Sequence, residues 1–147
     1  MPKLINITGP IAVGKSTICN LLRKELKNYA FVDRAYLKEM LKSSGKAEAK
    51  NIADKATIFI INELMKEKKN IIVQEQSIEQ LKAGLAKYSE GYKFYSFFLK
   101  CNLGKAIERD NERIKKTGSL EHIKEIHLRV KPSKQDRVID TDKYSVR

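Results

Sequence analysis

Gly9-Pro10-Ile11-Ala12-Val13-Gly14-Lys15-Ser16-Thr17 fits G-x-x-x-x-G-K-[ST], the spacing of a phosphate-cradling loop. Each fixed position has a chemical reason. Gly9 lets the backbone leave a strand through a turn that a Cβ would obstruct, and Gly14 permits close approach of backbone to phosphate. The loop's N–H groups then point inward, aided by the positive end of the helix that follows. Lys15 reaches the outer phosphates as a point charge, and Ser16 offers its hydroxyl to Mg²⁺.

The flanking sequence supplies the context that such a loop needs. Lys3-Leu4-Ile5-Asn6-Ile7-Thr8 reads as a short buried strand. Beyond the loop, Ile18, Leu21, Leu22 and Leu26 recur at helical spacing with charged residues between them. Strand, glycine loop and helix therefore follow in the required order.

A chain of 147 residues is long enough for one domain with a proper core. Its 41% hydrophobic and 33% charged residues fit a globular protein, and no apolar run reaches the length of a membrane span. The first residues open directly into a strand, so a cytoplasmic protein without a signal peptide is expected. Cys19 and Cys101 lack C-x-x-C spacing and do not suggest a disulfide framework. Cys19 is expected to pack inside and Cys101 to be partly exposed. His122 and His127 have no cysteine nearby, which does not suit a zinc site.

The net charge of +12 has two readings. Runs such as Lys66-Glu67-Lys68-Lys69 can simply solvate a helix face. Alternatively, the lysines form a field that attracts nucleotides, phosphorylated metabolites or a nucleic-acid backbone. Charge alone does not choose.

Further along, 29–32 reads as a second strand ending at Asp33, followed by a helix over 34–42 with Leu37, Met40 and Leu41 inward. A long helix over about 47–68 carries Ile52, Ala56, Phe59, Ile60 and Leu64 as its expected apolar stripe. Strand 70–74 leads to Glu75. A helix over 77–89 follows, with Ser77 and Gln80 able to form a capping box. Strand 93–99, a helix over 103–116 with Arg109 and Arg113 one turn apart, a helix over 120–130 and a strand over 137–140 complete the chain. Thr117-Gly118-Ser119 separates the last two helices.

Five strands alternating with helices make an α/β domain with a mainly parallel sheet. Functional groups then gather beyond the carboxyl ends of the strands. Gly9, Asp33, Glu75, Cys101 with Asn102, and Asp140 to Asp142 are delivered to that edge.

With these residues in view, the chain resembles the small P-loop kinases of the nucleoside-monophosphate-kinase-like group. Within that group it is most similar to polynucleotide 5′-hydroxyl kinase domains, chloramphenicol phosphotransferases and zeta-toxin-like proteins. The likeness rests on Gly9 to Thr17, Phe31-Val32-Asp33-Arg34, Arg109-x-x-x-Arg113 and Val138-Ile139-Asp140-Thr141-Asp142. It implies a three-layer α/β/α fold with a five-stranded parallel sheet of order 2-3-1-4-5. It also implies a single kinase domain over 1–147, with a lid around 104–130, that uses ATP and Mg²⁺.

Carried over residue by residue, the resemblance assigns Gly9, Pro10, Ile11, Ala12, Val13, Gly14, Lys15, Ser16 and Thr17 to the phosphates, with Lys15 also catalytic. Asp33 becomes the base that accepts the proton of an attacking hydroxyl; as an N-cap of the next helix it has a compatible structural role. Many relatives place Arg three residues after this Asp. If Lys38 fills that Arg position, the base position holds Ala35. Arg109 resembles residues that stack on adenine, and Arg113 resembles those that reach the transferring phosphoryl group. Both could instead pair with Glu108, Asp110 or Glu112 on the helix surface. Asp140 and Thr141 match the loop beside the base, and Glu75 with Ser16 matches the metal side, where relatives more often carry Asp at the position of Gln74.

The expected activity is transfer of the γ-phosphoryl group of ATP to a hydroxyl or phosphate acceptor, a small molecule or nucleotide. A polynucleotide 5′-hydroxyl end is the alternative acceptor. A nucleotide-binding module with little transfer activity is the alternative outside the enzymes.

Overall fold

Short apolar strands, each joined to the next through a helix, assemble in the computed structural model as one parallel sheet. The structure describes residues 1–10, 14–74, 76–85, 88–111 and 120–143. β1 (Lys3–Thr8) leads to α1 (Lys15–Glu25), β2 (Tyr29–Asp33), α2 (Arg34–Met40), α3 (Lys46–Lys66) and β3 (Asn70–Gln74). α4 (Ile78–Gly84), β4 (Lys93–Lys100), α5 (Leu103–Asn111), α6 (Leu120–Arg129) and β5 (Arg137–Asp140) follow. The strand order is β2-β3-β1-β4-β5 with every pairing parallel, the order that the resemblance implies.

A parallel sheet with helices on both faces buries its inner strands twice, so those strands become continuous apolar runs. Ile71, Ile72 and Val73 of β3 are all fully buried for this reason. On one face Leu4, Val32, Ile71 and Val73 pack with Ile61 and Met65 of α3 and with Leu81 of α4. On the other, Ile7 and Leu99 close over Cys19 of α1, with Ile5, Phe31, Phe97 and Ile139 around them. Asp33 and Ser77 cap α2 and α4, each accepting a backbone N–H from the first turn.

Two helices depart from expectation. The buried stripe of α3 is Ala49, Ala53, Thr57, Ile61 and Met65, whereas Ile52 and Phe59 stand 39% and 65% exposed. Small residues at i, i+4 let the helix backbone come close, and Thr57 satisfies its hydroxyl on the Ala53 carbonyl at 2.7 Å. Of the expected stripe, Ile60 and Leu64 pack against the core from the flank of the buried face, while Ile52 and Phe59 do not. α2 ends at Met40, which is 66% exposed rather than inward. None of the described helices is long and apolar enough to cross a membrane.

The phase of α3 is testable. Ile61→Ala is expected to cost about 2–5 kcal/mol in urea unfolding, since it opens a cavity in a fully buried site. Phe59→Ala is expected to stay within about 0.5 kcal/mol. The reverse ranking would place the other face of α3 against the sheet.

Candidate active site

The loop begins where β1 ends. Gly9 and Gly14 both take positive φ, 146° and 98°. A Cβ on Gly14 would meet nothing within 4 Å, so backbone conformation rather than space requires glycine there. Gly14 opens α1, and its carbonyl accepts Ile18 N–H at 3.1 Å. Lys15 folds back and donates from Nζ to the Gly9 carbonyl at 2.6 Å, and it is nearly buried. This holds an ammonium at the mouth of the loop, beside the positive end of α1. Pro10 is buried, and Ser16 and Thr17 are exposed at the start of α1. Ile11, Ala12 and Val13 lie outside the described residues.

The register across the sheet brings a second group to Ser16. Gln74 of β3 lies opposite Ile7 of β1 on one side and Asp33 of β2 on the other. Its Nε2 donates to Ser16 Oγ at 3.3 Å. Reasoning from sequence set Glu75 on the metal side, and Glu75 lies outside the described residues. The side chain placed on the Ser16 hydroxyl is Gln74, a neutral carboxamide that is itself buried. Its position as last residue of the strand beside β1 was the available signal.

Asp33, one strand further out, uses Oδ1 to accept Ala35 N–H at 3.0 Å and Tyr36 N–H at 3.4 Å. The same residue lines a cavity of about 380 Å³ with Arg23, Phe31, Tyr36, Leu37 and Ile60, at the free edge of β2. There the Arg23 guanidinium lies 4.8 Å from the centre of the Phe31 ring. Arg34, next in the chain, is committed to Asp54 of α3.

Beyond β4 and β5 a third group gathers. Arg109 Nη1 donates to Thr141 Oγ1 at 3.2 Å, and that hydroxyl donates to the Lys100 carbonyl at 3.1 Å. Thr141 N–H reaches the same carbonyl at 2.8 Å. Asp140 Oδ1 accepts Asp142 N–H at 3.0 Å, and Asp142 Oδ2 accepts Asn102 N–H at 2.6 Å. Arg109, Asp140 and Thr141 are thus brought together at the carboxyl edge, and Arg113 lies outside the described residues. Cys101 sits in this group. Burial pushes its thiol pKa up, and the charge of Arg109 pulls the other way.

The AAA domain family matches residues 5–133. The chain belongs to that family. No curated protein matches the sequence. Among solved structures, a chain of the Pnkp1/Rnl/Hen1 RNA repair complex is 20% identical with a TM-score of 0.70, covering 86% of this chain and 43% of that one. This AAA domain protein therefore spans less than half of the RNA-repair chain. The tunicamycin resistance protein of Deinococcus radiodurans is 17% identical with a TM-score of 0.71, covering 99% and 89%. A gluconokinase from Sinorhizobium meliloti 1021 is 15% identical with a TM-score of 0.66, covering 95% and 83%. At these identities the likeness is one of fold, that of the small nucleoside-monophosphate-kinase-like P-loop kinases.

The thiol offers a probe of the β4–β5 edge. A raised pKa keeps Cys101 protonated at neutral pH, so its alkylation by iodoacetamide is expected to rise at a higher pH than for free cysteine. Removing a cation that favours the thiolate raises the pKa further, so Arg109→Ala should displace the profile to still higher pH. An unchanged or acid-shifted profile in the variant would place Arg109 away from Cys101.

Proposed function

We propose that this AAA domain protein is an ATP- and Mg²⁺-dependent phosphotransferase. It moves a γ-phosphoryl group to a hydroxyl or phosphate of a small molecule or nucleotide. The observation that carries this reading is the Lys15 ammonium held over the Gly9 carbonyl at the N-terminus of α1, with Ser16 beside it. The donor set suits a nucleotide: loop and helix N–H groups and one cation for the phosphates, and one hydroxyl for a divalent ion. Kinase-like folds among the structural neighbours support the same reading.

ATP supplies the transferring group and Mg²⁺ neutralises charge on its oxygens; the chain's own work is mostly positioning. In this reading the loop from Gly9 to Thr17 orients the phosphates, and Lys15 stabilises charge that builds on them. Gln74 fixes the Ser16 hydroxyl, and Glu75 stands on the metal side. Asp33 takes the acceptor's proton, which its place at the sheet edge allows while Oδ1 also caps α2. Arg109, Asp140 and Thr141 flank the adenine. Residues 104–130 act as a lid that brings Arg113 to the phosphoryl group.

A second acceptor class has support of its own. The net charge of +12 and the fold likeness to a chain of an RNA repair complex favour a polynucleotide 5′-hydroxyl end. Incubation with γ-labelled ATP and separate nucleoside, nucleotide, sugar and 5′-hydroxyl oligonucleotide acceptors decides among these. A protein that binds ATP and labels none of them is a binding module.

Two substitutions separate the roles. Lys15→Ala is expected to weaken ATP binding by at least about tenfold in calorimetry without lowering the melting temperature. Equal affinity in both proteins would overturn the cradle. Asp33→Asn keeps a good helix cap and removes the base, so turnover should fall by about 10²–10⁴-fold with ATP binding retained. Full turnover in that variant would leave Asp33 as a cap alone.

A further inference from the structure

β2 is an outer strand of the sheet, paired with β3 on one side only. Its successive side chains alternate between the two faces. Phe31 joins the cluster around Cys19 of α1, and Val32 joins the cluster that packs with α3. The cavity of about 380 Å³ wraps around this outer edge. Arg23 at the end of α1 lines it from one face and Ile60 of α3 from the other, while Tyr36 and Leu37 of α2 complete the walls.

Register ties this cavity to the phosphate loop. Asp33 lines it and, two residues after Phe31, shares the face of α1. Asp33 stands opposite Gln74 on the adjacent strand, about 4.8 Å away by strand spacing, and Gln74 donates to Ser16 of α1. One wall of the cavity is therefore a single strand away from the residue that holds the loop's serine. The other walls are chemically simple. Phe31, Val32, Leu37 and Ile60 offer only carbon, and Tyr36 presents a ring that is 68% exposed. The Arg23 guanidinium, 4.8 Å from the centre of the Phe31 ring, is a planar group of the kind that stacks on aromatic faces. Arg23 and Asp33 are the charged residues of the lining, one of each sign, so the cavity carries no net charge.

We propose that this cavity at the β2 edge holds the acceptor, and that the acceptor is an uncharged hydroxyl compound built on an aromatic ring, as a nucleoside or an aryl alcohol is. This rests on the phosphotransferase reading above, with Asp33 as the base. The ring lies among the carbon walls and stacks with Tyr36 and Arg23, which leaves the hydroxyl toward Asp33. There its O–H bond breaks, the proton passes to the Asp33 carboxylate, and the oxygen bonds the γ-phosphorus of ATP. The β–γ bridging P–O bond breaks and its electron pair leaves with ADP. A sugar fits poorly, because most of its hydroxyls would be stripped of water against carbon. A phosphate acceptor fits poorly too. It would set oxygen anions near the Asp33 carboxylate with Arg23 as the one cation of the lining, since Arg34 is committed to Asp54. At about 380 Å³ the volume is at the small end of ligand sites and suits a body of one or two rings.

The test uses the full chain saturated with Mg²⁺ and a non-hydrolysable ATP analogue, so that the nucleotide site is filled, and reads binding by NMR. The probes are adenosine, 2-phenylethanol, myo-inositol and adenosine monophosphate. The expected result is that adenosine or 2-phenylethanol binds at least about tenfold tighter than both myo-inositol and adenosine monophosphate. Adenosine as the tighter of the two supports a nucleoside acceptor, and 2-phenylethanol an aryl alcohol; either supports the cavity. Tyr36→Ala and Arg23→Ala change exposed side chains and should leave the melting temperature in place, yet each should weaken the aromatic probe by about threefold or more. Tyr36→Phe keeps the ring and should retain binding. The proposal is overturned if myo-inositol or adenosine monophosphate binds tighter, or if neither aromatic probe binds at millimolar concentration. It also fails if Tyr36→Ala or Arg23→Ala leaves affinity within about twofold, or if Tyr36→Phe loses as much as Tyr36→Ala. Binding that depends on Tyr36 and Arg23 without phosphoryl transfer from labelled ATP would sink the kinase reading and leave the cavity assignment standing. Transfer to an acceptor whose binding ignores both residues would do the opposite.

Discussion

One backbone conformation governs this molecule. Gly14, at φ 98°, turns the chain out of the loop and into α1, and an L side chain there would strain that turn even though space is open around it. Everything at the site follows from that turn. It puts Lys15 at the first position of α1, close enough to fold back on Gly9, and it sets Ser16 where Gln74 can reach it. It also lets α1 run back along the sheet, so that Cys19 meets Ile7 and Leu99.

The sheet supplies the second constraint. Parallel strands in register end at one edge, and the row Ile7, Gln74, Asp33 shows how strictly that edge is kept. Groups far apart in the chain thus become neighbours: Asn6 and Gln76 are linked by a hydrogen bond across 70 residues, and Lys100 and Thr141 across 41. The polar chain from Gln76 through Asn6 and Ser96 to Asp136 ties four segments at the level of the core. Among the described residues two of its amide oxygens, Asn6 Oδ1 and Gln76 Oε1, stay buried without a donor.

Much of this was legible in the residues, and the rest was not for identifiable reasons. The strand, loop and helix around Gly9 to Thr17 could be read locally, because φ preference and apolar spacing are local properties. The strand order came from the resemblance, not from periodicity. Asp33 as a helix cap was readable from its neighbours, and the gathering of Arg109 with Thr141 followed from family likeness and strand topology together. Gln74 stood out in the sequence only as the place where relatives carry Asp, because the contact with Ser16 is set by register, a tertiary property. The face of α3 was legible in part: Ile60 and Leu64 do pack against the core, but large side chains such as Phe59 outweighed the alanines that close helix approach favours. Asn6 was read only as part of an apolar strand; its partners lie 70 and 90 residues away and leave no local trace.

The charge of the chain becomes easier to read once the lysines are sorted by location. Several are exposed and spent on neighbours one turn away, as Lys42 on Glu39 at 2.5 Å and Lys66 on Glu63 at 2.6 Å, pairs that add little stability. The bond and charge of Glu63 raise the Lys66 pKa, so it stays cationic and contributes to the field even while paired. Such a field acts at long range, raising the encounter rate of any anion and weakening with salt. In the proposed reading, selection is made at contact distance, where Lys15 and the N-terminus of α1 would meet phosphate. Such a field would draw a polyanionic donor and a polynucleotide acceptor alike, so the excess of lysine does not by itself choose the acceptor.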